Sequence, residues 1–463
     1  MTRTVFLLAL LLQAIAGKAQ SVFTEAELLA VVRRYHPAAL SATLDPAIAR
    51  SRQLAARGAF DPLLRYNSGV KELEGIRYYN ESAAELKIPT WYGVDLYAGT
   101  ERITGERLNP EETRGTLSYA GVSVPLASGL LFDKRRAALQ QAAVLVNASE
   151  AARRSALNNL LQEVLDDYWQ WWEAERRLVL ADSALANAER RLQLVRAAWR
   201  LGDRAAIDTL EALVQVQAFT LERSEAALSR TKARLELSQH LWREDRSAYD
   251  LPENIRPQEP PRPAAPLLDE LLGALPRHPD LQQYFYKQDA ARIDRRLKFH
   301  SLLPDVDVKY QALTKSSNPL KGLPATPFRN DYRFGISAAL PLRLSEGRGE
   351  WRAAKQKLLQ AELQATGKRV ELQTKARKAF AEWQQLTGQL KVQQGAAESY
   401  ERLLRGEEAR FRNGESALFV VNAREQKWWE ARQKGIQIEA KLQRARVQLQ
   451  WTAGLLGGNE NER

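Results

Sequence analysis

The sequence has 463 residues, 44% of them hydrophobic, and its 68 basic and 56 acidic residues give a net charge of +12. It contains no cysteine, which excludes disulfides, thiolate metal sites, cysteine nucleophiles and a lipid anchor on cysteine. Four scattered histidines offer few ligands for a transition metal. Acidic and basic residues are interspersed, which favours an ordinary charged surface over a nucleic-acid-binding one.

The first nineteen residues have the composition of a secretory signal peptide. A basic start precedes the apolar run 5–16, and small residues place the cleavage site after Ala19. The run is too short to span a bilayer, which takes about 20 residues. We therefore expect an exported mature chain without a transmembrane helix, and nucleic acid is not expected as a partner.

The chain carries one pattern twice. Four pairs at constant offsets define it: His36 and His278, Pro62 and Pro304 (242 residues apart), Trp171 and Trp383, Gly202 and Gly414 (212 residues apart). We place the repeats at 20–250 and 267–457, joined by a proline-rich linker at 251–266 and followed by a polar tail at 458–463.

Each repeat is predicted to hold a helix, two strands and a long helical hairpin. His-Pro suits a helix start, and this role is favoured over ligation for His36 and His278. Apolar and polar residues then alternate, as in Tyr332, Phe334 and Ile336. The segments are helices 37–58 and 279–301, strands at about 62–72, 115–126, 305–313 and 331–342, and hairpins 133–243 and 348–453.

A further strand-like stretch lies near residues 90–100, where Tyr92, Val94 and Leu96 alternate with polar residues. A single additional crossing would leave the chain on the wrong side of a membrane. We therefore expect this stretch to be extracellular, or to share a long, broken first strand.

The strands are long enough to cross a bilayer when tilted, although a hairpin on a soluble core explains the alternation equally well. Four strands cannot close a barrel, and unpaired strand edges are not tolerated in lipid. Three copies would supply twelve strands around an aqueous channel. Each long helical segment would measure about 100 Å at 1.5 Å per residue and needs a partner along its length, which an antiparallel coiled coil provides.

These features together resemble the TolC-type outer-membrane efflux proteins, or outer membrane factors. The resemblance covers essentially the whole mature chain. It rests on the signal peptide, the two His-Pro helices, the strand exits Pro125-Leu126 and Pro341-Leu342, and the tips Gly202-Asp203 before Leu210-Glu211-Ala212 and Gly414-Glu415 before Val421-Asn422-Ala423. Segment 86–93 is similar to that of a long-loop branch of the family.

The resemblance implies a mainly α fold with barrel strands, in which a homotrimer builds a twelve-stranded outer-membrane barrel continued by a periplasmic α-helical tunnel. It implies a passive exit duct of a tripartite efflux or type I secretion system in a Gram-negative bacterium. The partners would be outer-membrane lipid, a periplasmic adaptor (membrane fusion protein) and, indirectly, an inner-membrane pump. No cofactor, metal or enzymatic activity is expected.

The resemblance also implies that the hairpin tips form the closed gate and the adaptor contact. The residues placed there are Arg200, Gly202, Asp203, Arg204, Asp208, Arg412, Asn413, Gly414 and Glu415. Ion pairs are expected among Arg200, Asp208 and Arg412, although solvated turn residues explain these charges equally well. No Asp follows Gly414, which departs from a simple acidic ring.

Two other interpretations remain. The chain could be a periplasmic adaptor or a structural coiled-coil protein without a barrel, but adaptors usually carry one hairpin rather than two.

The tryptophans 169, 171, 172, 428 and 429 are expected to fill wide places in the bundle. The acidic residues 166, 167, 173 and 175 are expected on a solvated helix face rather than in a metal site.

Overall fold

The computed structural model describes residues 22–457 except 110, 112, 262–266, 320, 322–326 and 341. The predicted signal peptide with Ala19, the end of the linker, Pro341 and the polar tail lie outside the described residues. Two compact units are present: residues 22–43, 153–279 and 369–457 form the first, and 44–152 with 280–368 form the second.

Helices make up most of the first unit, and the second unit contains both helices and strands. The helices are α1 (Glu25–Tyr35), α2 (Pro37–Arg57), α3 (Lys134–Arg200), α4 (Ala206–Ser238), α5 (Leu268–Ala274), α6 (Pro279–His300), α7 (Ser345–Arg412) and α8 (Leu418–Thr452). The strands are β1 (Val22–Phe23), β2 (Leu63–Leu73), β3 (Ile76–Pro89), β4 (Asp95–Thr104), β5 (Gly115–Pro125), β6 (Arg256–Pro257), β7 (Asp305–Thr314) and β8 (Tyr332–Ala339). In the described ranges, every helix lacks the continuous apolar stretch that a membrane crossing requires.

Helix starts follow from local chemistry. Thr24 caps α1 with a capping box, since its hydroxyl accepts from the Glu27 N–H and the Glu27 carboxylate accepts from the Thr24 N–H. At the start of α2, His36 Nδ1 accepts from the Ala38 N–H at 3.1 Å. The imidazole there supplies the acceptor that Ser or Asp supplies at other helix starts.

The core of the first unit is built around aromatic side chains of α3. Tyr168, Trp169, Trp171 and Trp172 are at most 1% exposed and pack against α1 and α8. Tyr168 Oη donates to the Phe23 carbonyl at 2.8 Å and accepts from the Gln258 N–H at 2.9 Å, beside the short parallel pair of β1 and β6. The expectation that these tryptophans fill the bundle is confirmed.

The acidic residues of α3 do not share one solvated face. Glu175 is buried and pairs with Arg230 at 2.5 Å and Arg256 at 3.0 Å, while Asp166 pairs with Arg444 at 3.4 Å. Asp167 meets the buried His240 at 2.9 Å. The expectation of a solvated face is wrong for Glu175 because two arginines from other elements compensate its burial.

Glu173, another acidic residue of α3, is partly buried, and the effect of its burial can be tested. Desolvation raises the pKa of Glu173 above its usual range, against the attraction of Arg177, Arg444 and Lys441. A carboxyl group whose pKa is higher in the folded than in the unfolded protein contributes its full stability at pH values below the unfolded-state pKa. This stability is lost as the pH rises through the folded-state pKa. Glu173→Gln should therefore raise the thermal midpoint at pH 8 and leave it unchanged at pH 4. The exposed Glu163→Gln on the same helix is the control, and an equal effect at both pH values would contradict the prediction.

The second unit contains a six-stranded antiparallel sheet in the order β2-β3-β4-β5-β7-β8. The expectation of four strands is therefore wrong, and the stretch near 90–100 is a separate strand of the sheet rather than part of the first strand. It belongs to β4, which lies between β3 and β5. Because β3 is present as well, the sheet has two additional strands rather than one. The chain therefore leaves this pair of strands at the same end of the sheet at which it entered. A two-residue turn at Glu74 and Gly75, both with positive φ, joins β2 to β3.

Candidate functional site

The two hairpin turns have the same backbone geometry. Gly202 has φ of 82° and Gly414 has φ of 77°, a region that only glycine enters without strain. At the first turn the Asp203 N–H donates to the Ala198 carbonyl at 2.9 Å and the Gly202 N–H to the Trp199 carbonyl at 3.0 Å. The second turn repeats both bonds at Glu415 and Gly414, so each long helix ends in a Schellman motif.

Arg204 joins the first turn to the end of α7. Its guanidinium donates to the Phe411 carbonyl at 2.8 Å and lies 4.0 Å from the centre of the Phe411 ring. The arginine therefore makes a hydrogen bond and a cation–π contact with the same residue. Of the residues expected at the tips, Arg204 is the one whose side chain links the two hairpins.

The other expected tip residues are distributed over the exposed ends of the hairpins. Among the described residues, the side chains of Arg200, Asp208 and Arg412 form no ion pair with one another, and Arg412 donates to the Glu408 carbonyl of its own helix. Exposed positions are Arg200, Gly202, Asp203, Arg412, Asn413, Gly414 and Glu415. The expected ion pairs are therefore absent within one chain.

A buried charge cluster lies near the turns and was not predicted. Arg191 of α3 makes a bidentate pair with Glu425 of α8, with distances of 2.6 and 3.0 Å. It also reaches Asn422 of α8 at 3.2 Å and Glu408 of α7 at 3.3 Å. The Glu425 side chain is 2% exposed and that of Arg191 13%. One guanidinium thus holds all three helices together, in the geometry that makes arginine–carboxylate pairs strong.

The sequence does contain a signal for this cluster. Leu418, Asn422, Glu425 and Trp429 recur at three- and four-residue steps on α8, and all four are buried. A carboxylate on such a stripe needs a cation from another element. The partner Arg191 lies more than two hundred positions away and has no distinguishing neighbours in the sequence.

The cluster borders a cavity of about 590 Å³ between the hairpins. Its lining includes Arg190, Arg191, Arg204, Arg412 and Glu408, together with apolar residues of both hairpins. Next to this cavity, and sharing Val195 with its lining, is a buried apolar cluster of Leu192, Val195, Ala212 and Leu418. In the described part of the chain, no group of three or more His, Asp or Glu side chains could hold a metal ion.

Helix α4 is apolar on two opposite faces. Every seventh residue on one face is buried against the chain's other helices: Ala212, Phe219, Ala226 and Ala233. A second set with the same spacing is 55–70% exposed: Ile207, Val214, Leu221, Leu228 and Leu235. The sets are offset by two residues, or about 200° around the helix. The exposed set, called the outer stripe below, has the spacing of a coiled-coil seam without a partner from this chain.

The sequence model described as outer membrane efflux protein matches residues 93–241 and 272–455. A search of the curated proteins found no match.

Several solved structures share the fold. A membrane protein from Pseudomonas aeruginosa is 19% identical, with a TM-score of 0.67 and 93% coverage of both chains. The CmeC outer membrane channel of Campylobacter jejuni is 13% identical, with a TM-score of 0.66, and covers 95% of this chain and 87% of its own. The open-state MtrE outer membrane channel of Neisseria gonorrhoeae is 18% identical, with a TM-score of 0.63, and the coverages are 94% and 89%.

Proposed function

The chain belongs to the outer membrane efflux protein family, and we propose that three copies of it form the passive exit duct of a tripartite efflux or type I secretion system. Members of this family are channels rather than enzymes. The sheet of the second unit would lie in the outer membrane of a Gram-negative bacterium, and the helical hairpins would extend the duct through the periplasm. A periplasmic adaptor would connect it to an inner-membrane pump.

The outer stripe of α4 is the observation that carries this proposal. Five large apolar side chains, more than half exposed and seven residues apart, would be costly in water over a length of about 40 Å. A helix of a neighbouring copy would cover them with knobs-into-holes packing. The open strands β2 and β8 at the two edges of the sheet would pair between copies in the same assembly.

The hairpin turns are proposed as the gate and the adaptor contact. Their exposed charges surround a cavity rich in arginine, and the Arg191 cluster holds the two hairpins together just behind the turns. Breaking this cluster would let the second hairpin move away from α3. A gate of this kind needs no cofactor, since opening requires only that ion pairs be exchanged for contacts with an adaptor.

Membrane fractionation and mass measurement test the proposal. A barrel protein should resist extraction by alkaline carbonate, and the detergent-solubilised protein should have three times the chain mass. An adaptor or structural coiled-coil protein without a barrel would be released by carbonate. Release of a soluble monomer would refute the duct.

Charge reversal at the turns tests the gate. We expect Arg200→Glu, Asp203→Arg and Arg412→Glu to change single-channel conductance in planar bilayers, because these exposed charges would line the narrowest part of the duct. Lys287→Glu, which reverses an exposed charge on α6 of the second unit, is the control. Unchanged conductance in all three variants would remove these residues from the gate.

A further inference from the structure

We propose that the membrane barrel of this protein has eighteen strands, so that its lumen is about half as wide again as that of a twelve-stranded barrel. The inference rests on the proposed function, because it takes three copies of the chain to supply six strands each. It concerns the size of what the duct can pass, and four observations on the sheet support it.

The first observation concerns which strands of the sheet the family model matches. The match to the outer membrane efflux protein family begins at residue 93 and includes β4, β5, β7 and β8. Strands β2 and β3 precede the match, as do α1 and α2. The internal repeat identifies the additional segment, because the offset of 242 residues between Pro62 and Pro304 falls to 212 between Trp171 and Trp383, and the difference of 30 residues is the length of segment 61–90. Since β3 pairs with β4 over residues 80–89 without interruption, this segment adds a complete hairpin to the edge of the sheet.

The second observation is the register, which is that of a tilted barrel. The row of paired residues that starts at Leu63, the first residue of β2, runs through Lys87, Tyr97, Gly121 and Gln311 to Arg333. Arg333 lies six residues before the end of β8 at Ala339. The strands are thus displaced by about one residue each, the stagger that tilts barrel strands by roughly 35–45°. The added hairpin continues this stagger.

The third observation is that the last part of β3, over residues 84–88, presents the same two faces as the strands beside it. On one face, Tyr119 Oη donates to Glu85 at 2.7 Å and Arg333 lies 3.6 Å from Glu101. The opposite face is apolar across four strands and includes Leu86, Ile88, Leu96, Val122 and Tyr310. An apolar face outside and a polar face inside is the pattern of barrels that span a membrane around water.

The fourth observation is the geometry of the sheet edges. Six alternating strands leave β2 and β8 at the edges, running in opposite directions. When β8 of one copy meets β2 of the next, the pair is antiparallel, as every other pair in the sheet is. Each copy therefore joins the next without a change of direction, and no edge is left open in lipid.

The added hairpin can also be removed without opening a gap. Phe60, just before β2, stacks on Trp91, just after β3, with ring centres 4.2 Å apart and an angle of 18° between the planes. The chain thus enters and leaves the hairpin at one point. A short glycine-serine linker could replace residues 61–90 and keep the stacked pair.

Cysteine cross-linking of the full chain identifies the edge strand. Because the sequence has no cysteine, pairs can be introduced singly. Phe334→Cys on β8 is combined in turn with Leu64→Cys, Tyr66→Cys, Ser68→Cys or Val70→Cys on β2. The matched set places cysteine at Leu96, Ala98 or Thr100 on β4. Eighteen strands require covalently linked copies from the β2 set alone, whereas linking from the β4 set alone would show that β2 and β3 lie outside the barrel and would overturn the inference.

Single-channel conductance tests the proposed width of the barrel. The variant without residues 61–90 should remain trimeric and membrane-embedded, and its fully open barrel should conduct a little under half as much as the full chain, since the cross-section scales roughly with the square of strand number. Electron microscopy of both proteins should show the difference in barrel diameter. A trimeric full chain with a twelve-stranded barrel overturns this inference alone. A dimer or a soluble monomer instead overturns the proposed trimeric duct.

Discussion

Replacing Arg191 by alanine should open the duct and destabilise the first unit at the same time. The change leaves Glu425 buried with no cation beside it, and removing one partner of a buried ion pair costs about 3–5 kcal/mol. It also removes the contact between α3 and Glu408 of α7. We expect a lower thermal midpoint and a several-fold higher single-channel conductance in the absence of any adaptor.

The matched control for Arg191→Ala is Arg176→Ala. Arg176 lies on the same helix, its exposed side chain pairs with the exposed Glu259 at 3.2 Å, and it is not among the residues that line the cavity between the hairpins. This control should leave both stability and conductance near those of the parent, because exposed pairs of this kind contribute little.

A second pair of variants separates gating from simple unfolding. Arg191→Leu together with Glu425→Leu removes both charges, and replacing a buried pair by apolar residues often restores stability. We expect this double variant to recover the thermal midpoint and to keep a closed, low-conductance state that no longer responds to salt. If Arg191→Ala loses stability while its conductance stays at the parent value, Arg191 is a structural residue and the gate lies elsewhere.

The elements that the sequence could predict are those with local causes. The turns at Gly202 and Gly414 follow from glycine at the end of a long helix, since a left-handed residue there satisfies the last carbonyls. The strands β7 and β8 follow from alternation, because each has one apolar face. No comparable local cause brings Arg191 beside Glu425, whose meeting depends on how three helices pack.

Strand β3 shows why the sheet was only partly predicted. Its middle residues Asn80, Glu81 and Ser82 are all polar, so the alternation that marks Ala84, Leu86 and Ile88 does not extend along the strand. The turn at Glu74-Gly75 was the available signal, since two residues with glycine second suit a tight hairpin. Pairing with both β2 and β4 supplies the hydrogen bonds that make this polar segment extended.

The charged residues of the tips show which contacts the sequence does not predict. Arg204 was expected at the gate because of its place after Gly202, and its partner Phe411 adjoins the second turn at the end of α7. Sequence order places such residues at a tip, but only packing decides which of them bond. Within one chain the remaining tip charges meet solvent, so any ion pairs they form in the duct would have to come from neighbouring copies or an adaptor.

Placing charge on the outer stripe of α4 should abolish the proposed trimer. Leu221 and Leu228 are 67% and 56% exposed in one chain, and covering the exposed part of each by a neighbouring helix would contribute about 1–2 kcal/mol. Leu221→Glu with Leu228→Glu reverses that contribution at each of the interfaces between copies and adds like charges along the seam. We expect the double variant to sediment as a monomer in detergent and to show no channel activity, while α-helix content by circular dichroism falls only slightly.

Thr220→Glu is the control for this variant. It adds one of the two negative charges, one position from Leu221, on an exposed flank of α4 that belongs to neither heptad set, and it should leave the proposed trimer intact. The buried set tests the opposite face, because Phe219→Ala should lower the thermal midpoint by creating a cavity without changing subunit number. A trimer that survives both glutamates would show that the stripe meets something other than a second copy, and the assembly would then have to be held by the sheet edges alone.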